Sequence, residues 1–390
     1  MAVVRKYAHV TPVKESATFS RLAGARVFLK YENLQKTGAF KVRGALFKVH
    51  SVRGRARGVV AASAGNHAQG VAYAASRFGL PAVIVMPETA SISKIDATRG
   101  YGAEVVLHGT IYDEAEEKAL EIARERGYEF VHAFDDPYVI AGQGTIAFEL
   151  LEQLGSFDVV VVPVGGGGLI SGIASVVKKL RPEVRVVGVE PDNVPKMKLS
   201  LQAGKPVTIQ PRPTIADGLA TKKPGELTYK LVSELVDDIV TVSEEEIAKA
   251  IYLLLERGKV LVEGAGAAPV AALISGKLEL RGGERVVAIV SGGNIDLNAI
   301  YKILLRGLYE EGRIATIEGY VPDYPGQLMK VLEVVARHRG NVLDIIHDRT
   351  HPGGPAWHAK VVILLEVPGR EVLARILDEL RLLGYSFSSK

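Results

Sequence analysis

The chain has no cysteine among its 390 residues. That excludes disulfides, thiolate metal sites and a cysteine nucleophile. Tryptophan occurs once, and aromatic residues make up only 6%. No apolar run approaches the ~20 residues needed to cross a bilayer. The opening Met1-Ala-Val-Val-Arg-Lys6 lacks the apolar stretch of a secretory signal, so a cytoplasmic location is expected. Excess charge of one sign is lacking too, with 48 Lys and Arg against 44 Asp and Glu for a net +4. No basic block is interleaved with aromatics, so neither nucleic acid nor membrane is an expected partner.

What is present is an apolar fraction of 47%, enough for a sizeable core in two or three domains. Short, wholly apolar runs alternate with helical segments. Gly58 to Ala62 precedes a helical Asn66 to Phe78, Pro81 to Met86 precedes Ser91 to Tyr101, and Glu104 to Leu107 precedes Tyr112 to Arg126. Asp158 to Val162, Arg185 to Val189 and Arg285 to Val290 are further apolar strands. Such runs belong to parallel sheets covered on both faces, so the class is α/β. Ligands in these sheets sit beyond the carboxyl ends of strands.

The pattern changes near residue 312. Arg313 to Glu318 reads as a strand, Asp323-Tyr-Pro-Gly-Gln327 as a loop and Leu328 to Arg339 as an amphipathic helix. Asn341 to Ile346 and His358 to Val367 read as strands, Arg370 to Leu383 as a helix and Tyr385 to Phe387 as a last strand. The order βαββαβ is ferredoxin-like. A helical link is expected over about 299–312.

Four strand ends carry candidate chemistry. A short strand, Val27 to Leu29, leads to Thr37-Gly-Ala-Phe-Lys41, a turn and helix start. The positive end of a helix disfavours a lysine's charge, and a lysine acting as a neutral amine needs that depression. Taken alone, a lysine there reads as an ordinary solvated surface residue, and its company further along the chain sets it apart. Val159 to Gly168 is a strand followed by four glycines and a helix start, which reads as a phosphate cradle. The dinucleotide fingerprint G-x-G-x-x-G fails there because its last position is Ile170. A structural tight turn stays open. Ser63-Ala-Gly-Asn66 opens another helix and suits a carboxylate, with His67 read as a packing residue and Asn66 equally a cap. Ser291-Gly-Gly-Asn294 ends a further strand.

Taken in order, Thr37 to Ala45, Ala62 to Gly70, Ala141-Gly-Gln-Gly-Thr145, Gly165 to Gly168 and Ser291 to Asn294 closely resemble the threonine dehydratases (threonine ammonia-lyases). These belong to the tryptophan synthase β-like, fold type II, pyridoxal phosphate enzymes. The resemblance covers roughly residues 5–305. Residues 313–390 resemble an ACT regulatory domain through Asp323 to Leu328. The implied organisation is a catalytic domain over 1–305, with a smaller lobe at about 50–140 inserted in a larger one, a linker at 306–312 and an ACT-like domain from 313. The resemblance implies pyridoxal 5'-phosphate held covalently by Lys41, the catalytic base. Gly165, Gly166, Gly167 and Gly168 would hold its phosphate, Asn66 its phenolic oxygen and Ser291 its ring nitrogen. Ser63, Ala64, Gly65 and Asn66 would cradle the substrate carboxylate. Asp323, Pro325 and Gly326 would hold an amino-acid effector. Deamination of L-threonine, and of L-serine, by a homo-oligomer (dimer or tetramer) follows from the same likeness.

Two departures stand out. Relatives commonly carry serine where this chain has Ala39; a small side chain keeps the turn but offers no hydroxyl. Metal-dependent serine racemases use a carboxylate where this chain has Lys196 near Glu190, so no metal is assigned. The alternatives are a serine racemase or serine dehydratase, and a C-terminal part that serves assembly alone. Racemases carry a serine at the position of Ala64, and a methyl group moves no protons.

Overall fold

Strands that are apolar at every position must be covered on both faces. The computed structural model, which describes residues 1–389 apart from the side chain of Ser93, builds two sheets from them. β1 (Val13–Glu15) and β2 (Arg26–Tyr31) start the larger sheet. The chain then leaves to form β3 (Val59–Ala62), β4 (Ala82–Met86), β5 (Glu104–Leu107) and β6 (Glu129–Phe130). It returns through β7 (Val159–Pro163), β8 (Arg185–Pro191), β9 (Asp238–Val242) and β10 (Arg285–Val290). The larger sheet has the order β1-β2-β10-β7-β8-β9, parallel except for β1. The smaller, β5-β4-β3-β6, is wholly parallel. Its strands fall inside the stretch 50–140 read as an inserted lobe. Each sheet has its own apolar core, around Leu46, Val71 and Ile84 in one and Ile146, Val160 and Ile173 in the other.

The second unit pairs β11 (Ile314–Pro322), β12 (Asn341–Asp348), β13 (His358–Glu366) and β14 (Phe387–Ser389) in the order β12-β13-β11-β14, all antiparallel. Helices Gln327–Arg337 and Arg370–Leu382 complete the ferredoxin-like arrangement. Alternate β13 residues Ala359, Val361, Ile363 and Leu365 face the core with Val331, Val335 and Ile376. Trp357 stands just before β13 and is 87% exposed.

Several boundaries differ from the sequence reading. β2 is longer than Val27 to Leu29, because Lys30 and Tyr31 continue the pairing with β10. The last strand lies at 387–389 rather than 385–387, since Gly384, at φ +85°, carries the chain through a turn first. The two compact units divide as Met1–Asp296 and Leu297–Lys390. The expected boundary at 305 would cut the helix Leu297–Glu310, which is continuous and groups with the second unit.

Candidate active site

After β2 a short turn, Glu32–Leu34, leads to Lys41, the first residue of the helix Lys41–Val52. Gly38, at φ +72°, makes the bend, and a Cβ there would overlap Asn294. The loop after β10 pins this turn from the other side. Phe40 N–H donates to the Ser291 carbonyl at 3.0 Å and Gly293 N–H to the Gly38 carbonyl at 2.9 Å. Asn294 Nδ2 donates to the Thr37 carbonyl at 2.8 Å. Ala39 pairs with Gly292 in an isolated bridge and is fully buried, so the position takes only a small side chain.

Lys41 is half-buried, and its Nζ donates to the Ala133 carbonyl at 2.7 Å. Its pKa is pushed down to about 8, chiefly by burial, while the Glu263 carboxylate pulls the other way. Burial, more than the helix start on which the sequence argument relied, thus prepares a neutral amine. Such an amine serves as nucleophile or base.

One residue beyond Ala133, Phe134 reaches the glycine loop. A Cβ on Gly166 would collide with the Phe134 ring, and one on Gly168 would lie 2.9 Å from the Phe134 carbonyl oxygen. Gly167 stands at φ +99° with Thr228 and Met197 against it. The helix Gly168–Leu180 that follows has no side-chain cap. The first amides of a helix lack partners within it and carry partial positive charge, so a phosphate fits this start.

Ser63 to Asn66 follow β3 and open the helix Asn66–Phe78. Ser63 Oγ accepts from Gly65 N–H at 3.1 Å. A Cβ on Gly65 would meet nothing within 4 Å, so this turn faces open space where a substrate carboxylate could approach. Gly70 brings the helix close to Lys41: a Cβ there would lie 3.2 Å from the Lys41 carbonyl carbon. Asn66 Oδ1 accepts from Asn294 Nδ2 at 2.7 Å, and Asn66 Nδ2 donates to Glu263 at 2.8 Å. An amide nitrogen has two N–H groups, so one remains for an incoming acceptor. His67 is buried with Nε2 2.8 Å from the Val131 carbonyl, and burial beside Lys41 pushes its pKa down to about 3. It packs as a neutral ring.

The structure therefore joins Lys41, Asn66 and the Ser291 to Asn294 loop directly, and joins Lys41 to Gly165–Gly168 through Ala133 and Phe134. Glu263 and Phe134 were missed in the sequence. Glu263 is 5% exposed, and burial together with the Asp217 carboxylate pushes its pKa up to about 7. Its signal was there to find, a lone carboxylate between the apolar Val260-Leu-Val262 and the small-residue helix start Gly264-Ala-Gly-Ala-Ala268. Directly before Gly165, the Val164 carbonyl accepts from Lys196 Nζ at 2.8 Å, and that Nζ lies 2.9 Å from Glu190 Oε1, with both side chains fully buried. No group of three or more His, Asp or Glu suited to a metal ion is found among the described residues. In the second unit, Asp323 is gripped by Arg349 Nε, 2.9 Å from each carboxylate oxygen. Gly326, at φ +87°, precedes the uncapped helix Gln327–Arg337.

A lysine amine ready to lose its proton and an uncapped helix start ready for a phosphate share one use: they can hold a small phosphorylated carbonyl compound at both ends. That pairing, across two parallel-sheet lobes, defines a cofactor-dependent α/β enzyme. A family model described as pyridoxal-phosphate dependent enzyme matches residues 4–292, and the chain belongs to that family. Its cofactor is pyridoxal phosphate. An L-threonine ammonia-lyase of Thermotoga maritima is 50% identical over 98% of this chain and 95% of its own length. Among solved structures, a processed threonine deaminase isoform from Solanum lycopersicum aligns with a TM-score of 0.73 at 39% identity, covering 77% of this chain and 88% of that one. Maize serine racemase aligns at 0.74 with 36% identity, over 79% and 95%.

Proposed function

We propose that this enzyme deaminates L-threonine to 2-oxobutanoate and ammonia, and L-serine to pyruvate. The observation that carries the substrate is the near full-length match to the Thermotoga L-threonine ammonia-lyase. Pyridoxal phosphate, when bound, supplies the electron sink that makes a Cα proton acidic. Gly165 to Gly168 would hold its phosphate, Asn66 its phenolic oxygen and Ser291 its ring nitrogen. Lys41 would hold it covalently and then, displaced by the amino acid, take the Cα proton with its neutral amine. The open turn from Ser63 to Asn66 would hold the substrate carboxylate through the amides of a helix start. The β-hydroxyl would leave with a proton as water, and the released enamine, once tautomerised to an imine, takes up a water to give the 2-oxo acid and ammonia. We further assign residues 313–390 to an ACT-type regulatory domain, with an effector carboxylate at the helix start after Gly326 and Asp323, Pro325 and Gly326 around it. The enzyme is proposed to be a homo-oligomer.

The likeness to a serine racemase favours a second reading. Against it stands Ala64, whose methyl group cannot return a proton from the opposite face. A steady-state assay with each amino acid, reading 2-oxo acid and the chirality of remaining serine, decides. D-serine formed faster than pyruvate would overturn the lyase reading. Lys41→Ala should lower turnover by roughly a thousandfold or more and abolish the visible absorbance of the bound cofactor.

A further inference from the structure

Two cations leave the first turn of the Lys41 helix in different directions. Lys41 reaches Ala133, and Arg43 enters a fully buried ion cluster. Arg43 grips Glu32 with Nε and Nη2, both at 2.7 Å, and Glu149 with Nη1 at 2.6 Å and Nη2 at 2.8 Å. Nη1 also donates to Thr145 Oγ1 at 3.2 Å and Nη2 to the His9 carbonyl at 3.2 Å. Every guanidinium nitrogen is thus engaged. Lys30 completes the cluster, donating to Glu149 at 2.6 Å, to the Thr11 carbonyl at 2.8 Å and to Gln153 at 3.0 Å. The two carboxylates and two cations sum to zero charge.

We propose that this cluster is a positioning device for the reaction: it fixes the turn from which Lys41 projects, with Arg43 as its central positioning residue. The inference rests on the reading of Lys41 as the reactive lysine. Buried ion pairs are a weak source of stability, because desolvation offsets most of their attraction. A planar guanidinium with two carboxylate forks instead sets direction as well as distance. The cluster ties together the four segments around Lys41: residues 9–11, the end of β2 with Glu32, the first turn of the Lys41 helix, and the helix Thr145–Leu154. The loop Ser291 to Asn294 holds the same turn separately, through two backbone hydrogen bonds and the Asn294 amide. Lys41 therefore projects from a turn fixed at two places, and the Arg43 side is the only one of the two held by charge. A reacting amine displaced by about 1 Å loses rate on the order of a hundredfold, so such bracing has a measurable purpose.

The test compares holoenzyme of the wild type, Arg43→Lys and Glu32→Gln. Arg43→Lys keeps the charge and loses both forks, whereas Glu32→Gln keeps the shape and weakens one. Three readings are taken well below the melting temperature: kcat and KM, the pH midpoint of the cofactor's visible absorbance, and circular dichroism. The expected result is a native fold, kcat lowered roughly tenfold or more with KM within about threefold. The absorbance midpoint is expected to move by about half a pH unit. A lower melting temperature with kcat and absorbance midpoint unchanged overturns the proposal, since that is what a purely structural cluster gives. If Arg43→Lys does not fold, Glu32→Gln decides by the same readings. If neither folds, the cluster is a folding element and the proposal fails. Borohydride reduction of the wild-type holoenzyme, followed by peptide mapping, separates the two failures. Label on a lysine other than Lys41 removes the reading beneath the proposal, and label on Lys41 with unchanged variants removes the proposal alone.

Discussion

Lys41 titrates near 8 in the fold, against 10.5 for a free lysine side chain. Between those values the unfolded chain keeps a proton that the folded cofactor-free protein has released. Stability of that form therefore rises with pH across the window from about 8 to 10.5, and the penalty for a buried ammonium is fully present below it. Lys41→Met cannot charge. Without cofactor it should be more stable than the wild type by ~1–2 kcal/mol at pH 7, an effect trimmed by the partial opening of the site to water. The two should converge toward pH 10. Urea unfolding at both pH values measures this, and equal stabilities at pH 7 would refute it. Lys196 bears a second residue-scale prediction. Its ammonium already lies against Glu190 and the Val164 carbonyl, directly before the phosphate loop. Exhaustive chelation should leave the rate within about twofold of the untreated enzyme. A large loss that divalent metal restores would count against an internal cation.

At the scale of elements, close helix packing explains a motif that the sequence showed without a role. Ala141-Gly-Gln-Gly-Thr145 ends the helix Pro137–Gln143 and opens the helix Thr145–Leu154. A Cβ on Gly142 would lie 2.6 Å from Gly44 Cα, in the Lys41 helix, and one on Gly144 would lie 2.8 Å from the Gly172 carbonyl oxygen. Gly142→Ala must push backbone against backbone, and should cost ~1–3 kcal/mol and lower the melting temperature by a few degrees. An unchanged thermal melt would show that the helices have room. The parallel strands and the three glycine or serine turns were legible because each is a local signal: an apolar run, then small residues, then a helix. Glu263, Phe134 and the Arg43 cluster were not, because their meaning is a partner far along the chain. Arg43 and Glu149 are 106 positions apart, and nothing in the periodicity of either helix marks them as buried. Asp323 shows the same limit. The likeness to an ACT domain places it at an effector, and nothing in its own stretch announces Arg349 as its partner.

For the whole molecule, the second unit offers a direct optical handle. Trp357 is the only tryptophan of the chain and lies in that unit. Titration of the full-length holoenzyme with isoleucine, valine, threonine and serine should move Trp357 emission and the rate together for at least one of them. The coupling expected is ~1–3 kcal/mol, roughly a 5–150-fold change in affinity. Emission and rate that ignore all four amino acids would leave residues 313–390 without a regulatory role for these ligands. The order of the larger sheet also has a consequence in time. β2 stands next to β10, which begins at residue 285, while every strand of the smaller sheet is complete by residue 130. At ~5–20 residues per second, the ribosome needs on the order of 8–31 s more to deliver the missing neighbour. The small lobe is free to mature during that interval. The turn bearing Lys41 waits for Ser291 to Asn294 to emerge, so the lysine is braced only after every strand of the small lobe has been made.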